Sequence, residues 1–468
     1  MRLFEIVILL LDLLIIVWPR LTTRRPAWAD FLPLAAVNLV VVHVLLEGYR
    51  WQMVPAYVFT GLLFLLSLPR LRRPAPASTP RGWLAFVWSG LSLLLLLAIA
   101  APPVLFPVPV FPKPVGLYQV GTVSYYRMDE ARAELYTDDA NDKRELMIQI
   151  WYPATPARGA KTGPWINGLD VAGPIMADYI NLPAFALDHA NLFRTNSYPE
   201  APVASVDVPF PIVVYSHGWN GFRAINTNQM EALASAGYIA VGIDHTYGAM
   251  VTVFPDGRVA LNNPEALPDG EGFESASQIL EATYAADVSF VLDELERLNV
   301  GDGLLAGRLD VSRVGVFGHS TGGGAVVMAC AQDARCKAGL GMDAWLEPVS
   351  DDVIAASLSQ PFLFMNSELW ATGDNQPVLD ELLAGLTQTG YRMTIRGTRH
   401  YDFTLLPLLT PLAPALKLKG PIEGQRGMQI ITDYLLAFFD KHLKGESEPL
   451  LDGPSAAYPE VIFERRTP

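Results

Sequence analysis

The chain has 468 residues, of which 51% are hydrophobic and only 18% charged, which excludes a disordered or heavily solvated polypeptide. Charge divides it: residues 1–110 carry nine Lys or Arg against four Asp or Glu, and the other 358 residues carry 25 against 44. So acidic a body lacks the basic face that phosphate backbones need, which argues against nucleic acid as a partner, and two cysteines cannot make a disulfide scaffold or, without suitably spaced His or carboxylate partners, close a zinc site.

Four nearly charge-free apolar runs come first: Leu3–Trp18, Phe31–Leu46, Met53–Leu68 and Trp83–Ala101. As helices they reach about 24 to 28 Å, close to a bilayer core of about 30 Å. Arg-rich breaks separate them, and Trp18, Trp28, Trp51 and Trp83 stand at or near their ends as interfacial anchors. The pattern predicts a transmembrane region of four helices over 1–101, in an integral multi-pass protein of a bacterial inner membrane. A cleaved signal peptide fits poorly, because the first run lacks a small-residue cleavage site. Arg20, Arg24, Arg25, Arg70, Arg72, Arg73 and Arg81 fall in the first and third loops, whereas the opposite side holds only Arg2 and Arg50. Positive charge stays inside, so the N-terminus and everything after the fourth span are expected outside the cytoplasm. Asp12, Asn38 and His43 are polar groups at membrane depth, read as hydrogen-bonding links between helices or as marks of a functional site.

Residues 101–114 read APPVLFPVPVFPKP, and the repeated prolines predict a stiff, extended linker over 102–115. The body, 116–468, then alternates β-rich and helical patterns. Strands are predicted at Gln149–Tyr152, Pro211–Tyr215, Tyr238–Asp244, Arg313–Phe317, Ala338–Met342, Pro361–Met365 and Tyr391–Arg396, and helices near 224–236, 277–298, 321–333, 376–388 and 425–443. That alternation means α/β class, a mostly parallel sheet covered by helices on both faces. Residues 156–205 and 255–275, rich in Pro, Gly and Asn, read as excursions over one rim of the sheet. The spacing of Cys330 and Cys336 permits a small-loop disulfide and equally two buried thiols.

The stretch Arg313–Val327, RVGVFGHSTGGGAVV, carries the chemistry. A strand runs into Gly318-His319-Ser320-Thr321-Gly322 and a helix of small residues follows, the setting of a GxSxG nucleophile elbow. Serine is a poor nucleophile at neutral pH until a histidine takes its proton and a carboxylate holds that histidine. On such an elbow the acid and then the histidine follow the serine in the chain. Only His400 and His442 do so. His442 falls near the end of the terminal helix and reads as a surface or capping group, whereas His400 directly follows a predicted strand and is the expected base. Asp343, in LGMDAW, and Asp374, in ATGDN, compete for the acid role. The oxyanion needs two backbone N–H donors. Thr321, after the nucleophile, supplies one, and Trp219, in the Tyr215-Ser216-His217-Gly218-Trp219 turn, is expected to supply the other. His217 and His245 read as loop-bracing residues, and His319 lacks the freedom to act as base.

Together, YSHGWNGFR, GHSTGGG, GMDAW and GTRHYDF resemble the oxyanion, elbow, acid and histidine segments of the plasma-type (isoform II) platelet-activating factor acetylhydrolase family, a branch of the α/β-hydrolases. The resemblance covers about residues 116–443. It implies an α/β-hydrolase fold, a triad of Ser320, Asp343 and His400, and carboxylic ester hydrolysis through an acyl-enzyme without a metal. The expected protein is thus a membrane-anchored serine esterase or lipase, with ester or lipid substrates that include phospholipids with short or oxidised acyl chains, beside membrane lipids. An acyltransferase on the same triad, a polyester or cutinase-like esterase, and a binding protein with an inactive hydrolase body are the alternatives. No GxGxxG after a strand, GxxxxGK[ST] or HExxH occurs, so no cofactor is expected.

Overall fold

Runs of β-branched and aromatic residues that bury both faces make the centre of a sheet. Phe210–Ser216, FPIVVYS, is buried at every position. The computed structural model describes residues 1–21, 26–72, 83–205, 207–301, 303–356 and 358–467. Its strands are β1 Gln119–Ala133, β2 Lys143–Ala154, β3 Ser197–Pro199, β4 Phe210–Ser216, β5 Ile239–Asp244, β6 Val251–Val253, β7 Val259–Leu261, β8 Leu309–His319, β9 Cys336–Met342, β10 Phe362–Ser367, β11 Gly390–Ile395 and β12 Val461–Arg466. All but the β6–β7 hairpin join one sheet in the order β12-β11-β10-β9-β8-β4-β5-β2-β1-β3. From β5 through β4, β8, β9 and β10 to β11 every neighbour is parallel, while β1 and β2, β2 and β5, and β11 and β12 pair antiparallel. This is the α/β-hydrolase fold. The parallel register brings the carboxyl ends of β4, β8, β9, β10 and β11 to one rim, where open α/β sheets bind their ligands.

The helices are α1 Leu3–Leu21, α2 Leu32–Glu47, α3 Val54–Arg72, α4 Trp83–Leu105, α5 Leu169–Tyr179, α6 Thr227–Ser235, α7 Phe273–Val300, α8 Thr321–Gln332, α9 Asp351–Ala355, α10 Gln376–Gly385 and α11 Gly424–Phe439. Helix α8 contains Gly322-Gly323-Gly324, poor helix formers that each cost about 1 kcal/mol against alanine in a helix interior. Close packing explains them, since a Cβ on Gly322 would lie 2.2 Å from the Ser216 carbonyl oxygen. At the far end of α8, Cys330 and Cys336 form a disulfide.

Differences from the sequence expectations have physical causes. The long hairpin of β1 and β2 was not predicted beyond Gln149–Tyr152, because β1 mixes buried and half-exposed positions without a clean alternation. Residues 156–205 are not wholly irregular: they hold α5 and a 3₁₀ run at Ala184–Leu192. Pro102 and Pro103 do not end the fourth apolar helix, which continues to Leu105. The Phe106 N–H donates to the Pro102 carbonyl, and the Arg50 guanidinium donates to the carbonyls of Pro103 and Phe106, so the helix end is satisfied by a side chain.

Two compact units emerge, one of Met1–Pro109 with Ala186–Phe193 and Leu409–Leu412, the other of the remaining residues. In the first, three segments among the described residues are long and apolar enough to cross a membrane: Trp28–Glu47, Trp51–Pro69 and Phe86–Leu105. The expected count was four. Helix α1 is not among the three, and Glu5 and Asp12 interrupt its apolar sequence. Its buried acids are partnered: the Thr60 hydroxyl donates to Asp12 at 2.8 Å, and Arg50 donates to both oxygens of Glu5 at 2.6 Å. His43 Nε2 lies 2.8 Å from the Tyr57 hydroxyl, and Asn38 sits on an exposed face. Arg24, Arg25, Arg73 and Arg81, on which the expected orientation rests, lie outside the described residues.

Candidate active site

Strand β8 delivers Ser320 to the rim in a strained conformation, φ 57° and ψ −124°. Only a crowded turn enforces such geometry. A Cβ at Gly318 would lie 2.2 Å from the Gly322 carbonyl oxygen, so the chain doubles back on itself there. The Ser320 N–H donates to the Met342 carbonyl, and its own carbonyl accepts from Gly323 and Trp345, which ties the elbow to the end of β9.

Directly after β9 stands Asp343, fully buried, whose N–H continues the ladder by donating to Met365 of β10. Its Oδ1 accepts the Ser367 N–H at 2.6 Å and its Oδ2 the Ser367 hydroxyl at 2.7 Å. Oδ2 also faces His400 Nδ1 at 3.0 Å, with 26% of the histidine side chain exposed against none of the aspartate. The loop carrying His400 is braced by Asp402, which accepts the N–H groups of Arg399 and Gly420. His319 Nε2 donates to the His400 carbonyl at 2.9 Å. Burial, and then the neighbouring His400, push the His319 imidazole well below its ordinary pKa. His319 thus places His400 through its backbone and stays neutral.

Across the elbow, Trp219 N–H points to the Thr321 hydroxyl at 3.3 Å, and a Cβ on Gly218 would lie 2.8 Å from the Ser320 Cβ. Trp219 and Thr321 therefore flank the serine from two sides. The structure brings Ser320, Asp343, His400, Trp219 and Thr321 to one rim. Asp374 is exposed in the turn before α10, and among the described residues no contact joins it to His400; His442 packs on Phe438 and bonds the Tyr391 hydroxyl instead of capping the helix. Sequence reasoning missed Ser367 and Trp370. Trp370 stacks on the His400 ring, with centroids 4.8 Å apart and planes 23° apart, and its Nε1–H donates to the Ala344 carbonyl. An indole face beside a base favours the imidazolium that forms when it takes a proton.

The family model for platelet-activating factor acetylhydrolase, isoform II, matches residues 106–269 and 277–450. The chain belongs to this family. Platelet-activating factor acetylhydrolase of Cavia porcellus is 27% identical over 253 residues, 50% of this chain and 58% of that protein. The chain thus spans less than two thirds of that relative. A probable 1-alkyl-2-acetylglycerophosphocholine esterase of Arthroderma benhamiae is 25% identical over 333 residues, 65% of this chain and 76% of the relative. Among solved structures, a ferulic acid esterase from Streptomyces cinnamoneus superposes with a TM-score of 0.64 at 28% identity, covering 76% of this chain and 99% of its own.

Behind the elbow helix lies a further carboxyl. Glu281 of α7 is fully buried, and among the described residues neither of its oxygens has a hydrogen-bond partner. Burial raises its pKa well above the ordinary value, so the fold holds the neutral acid. Its contribution to stability is fully present below the unfolded value of about pH 4.3 and is lost as pH climbs toward the folded one. Gln stays neutral throughout. Melting temperatures of wild type and Glu281→Gln are therefore expected to diverge in favour of the variant as pH rises from 5 to 9; a flat difference would mean that Glu281 is ionised in the fold.

Proposed function

We propose that this chain is a membrane-anchored serine hydrolase that cleaves carboxylic esters through an acyl-enzyme on Ser320. The observation that carries the reading is the 3.0 Å contact of Asp343 with His400 Nδ1, at the rim that also bears the strained Ser320. An ionised Asp343 only accepts, so Nδ1 holds a proton and Nε2 offers its lone pair to the Ser320 hydroxyl. Ser320 Oγ then attacks the ester carbonyl while its proton passes to Nε2. The N–H groups of Trp219 and Thr321 stabilise the oxyanion, each worth roughly 3 to 4 kcal/mol by the measure of donor deletions elsewhere. Collapse breaks the bond to the alcohol, which leaves with the proton from Nε2. Water, deprotonated by the same nitrogen, attacks the acyl-enzyme, and Ser320 departs with the proton restored.

The substrates we propose are short or oxidised acyl chains of phospholipids, and the relatives' names, an acetylhydrolase and a 1-alkyl-2-acetylglycerophosphocholine esterase, support the short ones. A second reading, aromatic acyl esters, is favoured by the ferulic acid esterase neighbour and by Trp370 and Tyr401 flanking His400. Turnover of p-nitrophenyl esters graded by chain length, of a 2-acetyl phosphatidylcholine and of methyl ferulate separates them. No hydrolysis of any of the three would sink the esterase reading.

We read residues 1–101 as the anchor, 102–115 as the spacer and 116–468 as the catalytic body, outside the cytoplasm. The apolar segments and the basic loop residues support this. Protease added to intact spheroplasts is expected to degrade the body, and protection until lysis would reverse the topology.

A further inference from the structure

Beneath the Trp219 turn lies a second Ser-His-Asp chain. Ser216 Oγ is 2.9 Å from His245 Nε2, and His245 Nδ1 is 2.9 Å from Asp287 Oδ2. All three residues are at most 1% exposed, so no substrate reaches them. The chain ends on cations: Arg144 donates to both oxygens of Asp287, at 3.1 and 2.6 Å, and Arg132 to one of them at 2.8 Å. Tyr284 stacks on the His245 ring, centroids 3.7 Å and planes 11° apart.

The proton positions follow from the partners. Burial pushes the Asp287 carboxyl up, but the Arg144 guanidinium and the hydrogen bonds from His245 and Arg144 outweigh it and hold Asp287 ionised. An ionised carboxylate only accepts, so His245 carries its proton on Nδ1 and accepts the Ser216 hydroxyl at Nε2. With both ring nitrogens engaged, His245 is fixed, and its backbone N–H donates to His217 Nε2 at 3.2 Å. That bond requires the His217 proton on Nδ1, which donates to the Gly218 carbonyl at 2.7 Å. The same carbonyl accepts from Gly221 at 2.8 Å. In a trans peptide the C=O and the following N–H point in opposite directions. Pinning the Gly218 carbonyl therefore aims the Trp219 N–H back at Ser320 and Thr321.

We propose that the buried Ser216–His245–Asp287 chain, acting through His217, is a positioning device that orients the Gly218–Trp219 peptide and so sets one oxyanion donor. The inference rests on the proposed role of Trp219 beside a nucleophilic Ser320. His217 touches the donor peptide, His245 acts through His217, and neither touches the substrate, so both are positioning residues.

The test uses the full-length protein in detergent, p-nitrophenyl acetate, and an aryl trifluoromethyl ketone that forms a tetrahedral adduct on a reactive serine. Fluorophosphonate labelling of wild-type Ser320 checks the underlying reading first, and absence of labelling there would refute that reading and not the geometry argued from it. His217→Phe removes both the donor and the acceptor and is expected to lower kcat about a hundredfold with KM within about threefold. His217→Asn keeps a donor near the Nδ1 position and is expected to restore kcat to within about tenfold of wild type. Ketone affinity falls in step with kcat/KM in each variant, because both report the oxyanion site. If His217→Phe does not fold, Ser216→Ala decides alone, with a parallel loss of about fivefold in kcat and ketone affinity. Folded variants with wild-type kcat, or with lost activity and unchanged ketone affinity, overturn the proposal.

Discussion

Ser320→Ala is expected to abolish ester hydrolysis and fluorophosphonate labelling while the protein still folds. The elbow is held by backbone: Ser320 N–H on Met342, its carbonyl on Gly323 and Trp345, and glycines where a Cβ at Gly318 or Gly322 would collide with carbonyl oxygens. Alanine carries the same Cβ as serine and adopts φ 57° with the same strain, so the turn survives the loss of one oxygen. What vanishes is the covalent step. Elsewhere, removal of a triad serine lowers kcat by a factor on the order of a million, leaving only what the oxyanion donors contribute. Mass spectrometry of the labelled protein, with turnover of p-nitrophenyl acetate, reads both effects. Labelling that persists on another serine at unchanged turnover would remove Ser320 from the mechanism.

Much of this site was legible because its first layer is written in short contiguous motifs. The elbow needs glycines two residues either side of Ser320, and the sequence shows them next to a buried strand. The supporting layer was not legible. Ser367 holds Asp343 only because the parallel register sets Met365 beside Met342, so that the ends of β9 and β10 meet. Nothing near Ser367 in FLFMNSELW marks it as the partner of an acid 24 residues earlier. Trp370 likewise becomes meaningful once the chain brings its ring onto His400. For the fold, the parallel strands were legible because burial on both faces leaves continuous apolar runs. The β1–β2 hairpin and β12 sit toward the edges of the sheet, where half-exposed positions blur the pattern. The first apolar run, Leu3–Trp18, is read as a span for a related reason. Its length and apolar content stand out in the sequence, whereas the partners of Glu5 and Asp12, Arg50 and Thr60, lie on other segments.

The contest between Asp343 and Asp374 turns on what an amide would do at each place. At position 343 the Ser367 N–H donates to Oδ1 at 2.6 Å, and an amide nitrogen there would meet another donor. Asp343→Asn must therefore put its NH₂ group where Oδ2 stands, facing His400 Nδ1 and the Ser367 hydroxyl. The hydroxyl can turn to accept, but the imidazole has to move its proton from Nδ1 to Nε2. In that tautomer Nε2 is a donor and cannot take the Ser320 proton, so turnover is expected to fall by a factor on the order of a thousand or more. Asp374 stands in an exposed turn. Its neighbour Asn375 does the bracing, accepting the Leu346 N–H and donating to the Ala344 carbonyl, each at 2.6 Å. Asp374→Asn leaves those bonds in place and changes a charge in water, for which less than about a tenfold change in turnover is expected. Steady-state rates of the two variants, each checked for cooperative melting, give the ranking. If Asp374→Asn proved the more damaging, the acid would have to reach His400 from that turn after a movement of the loop, and the Asp343 contact would be reduced to a brace between β9 and β10.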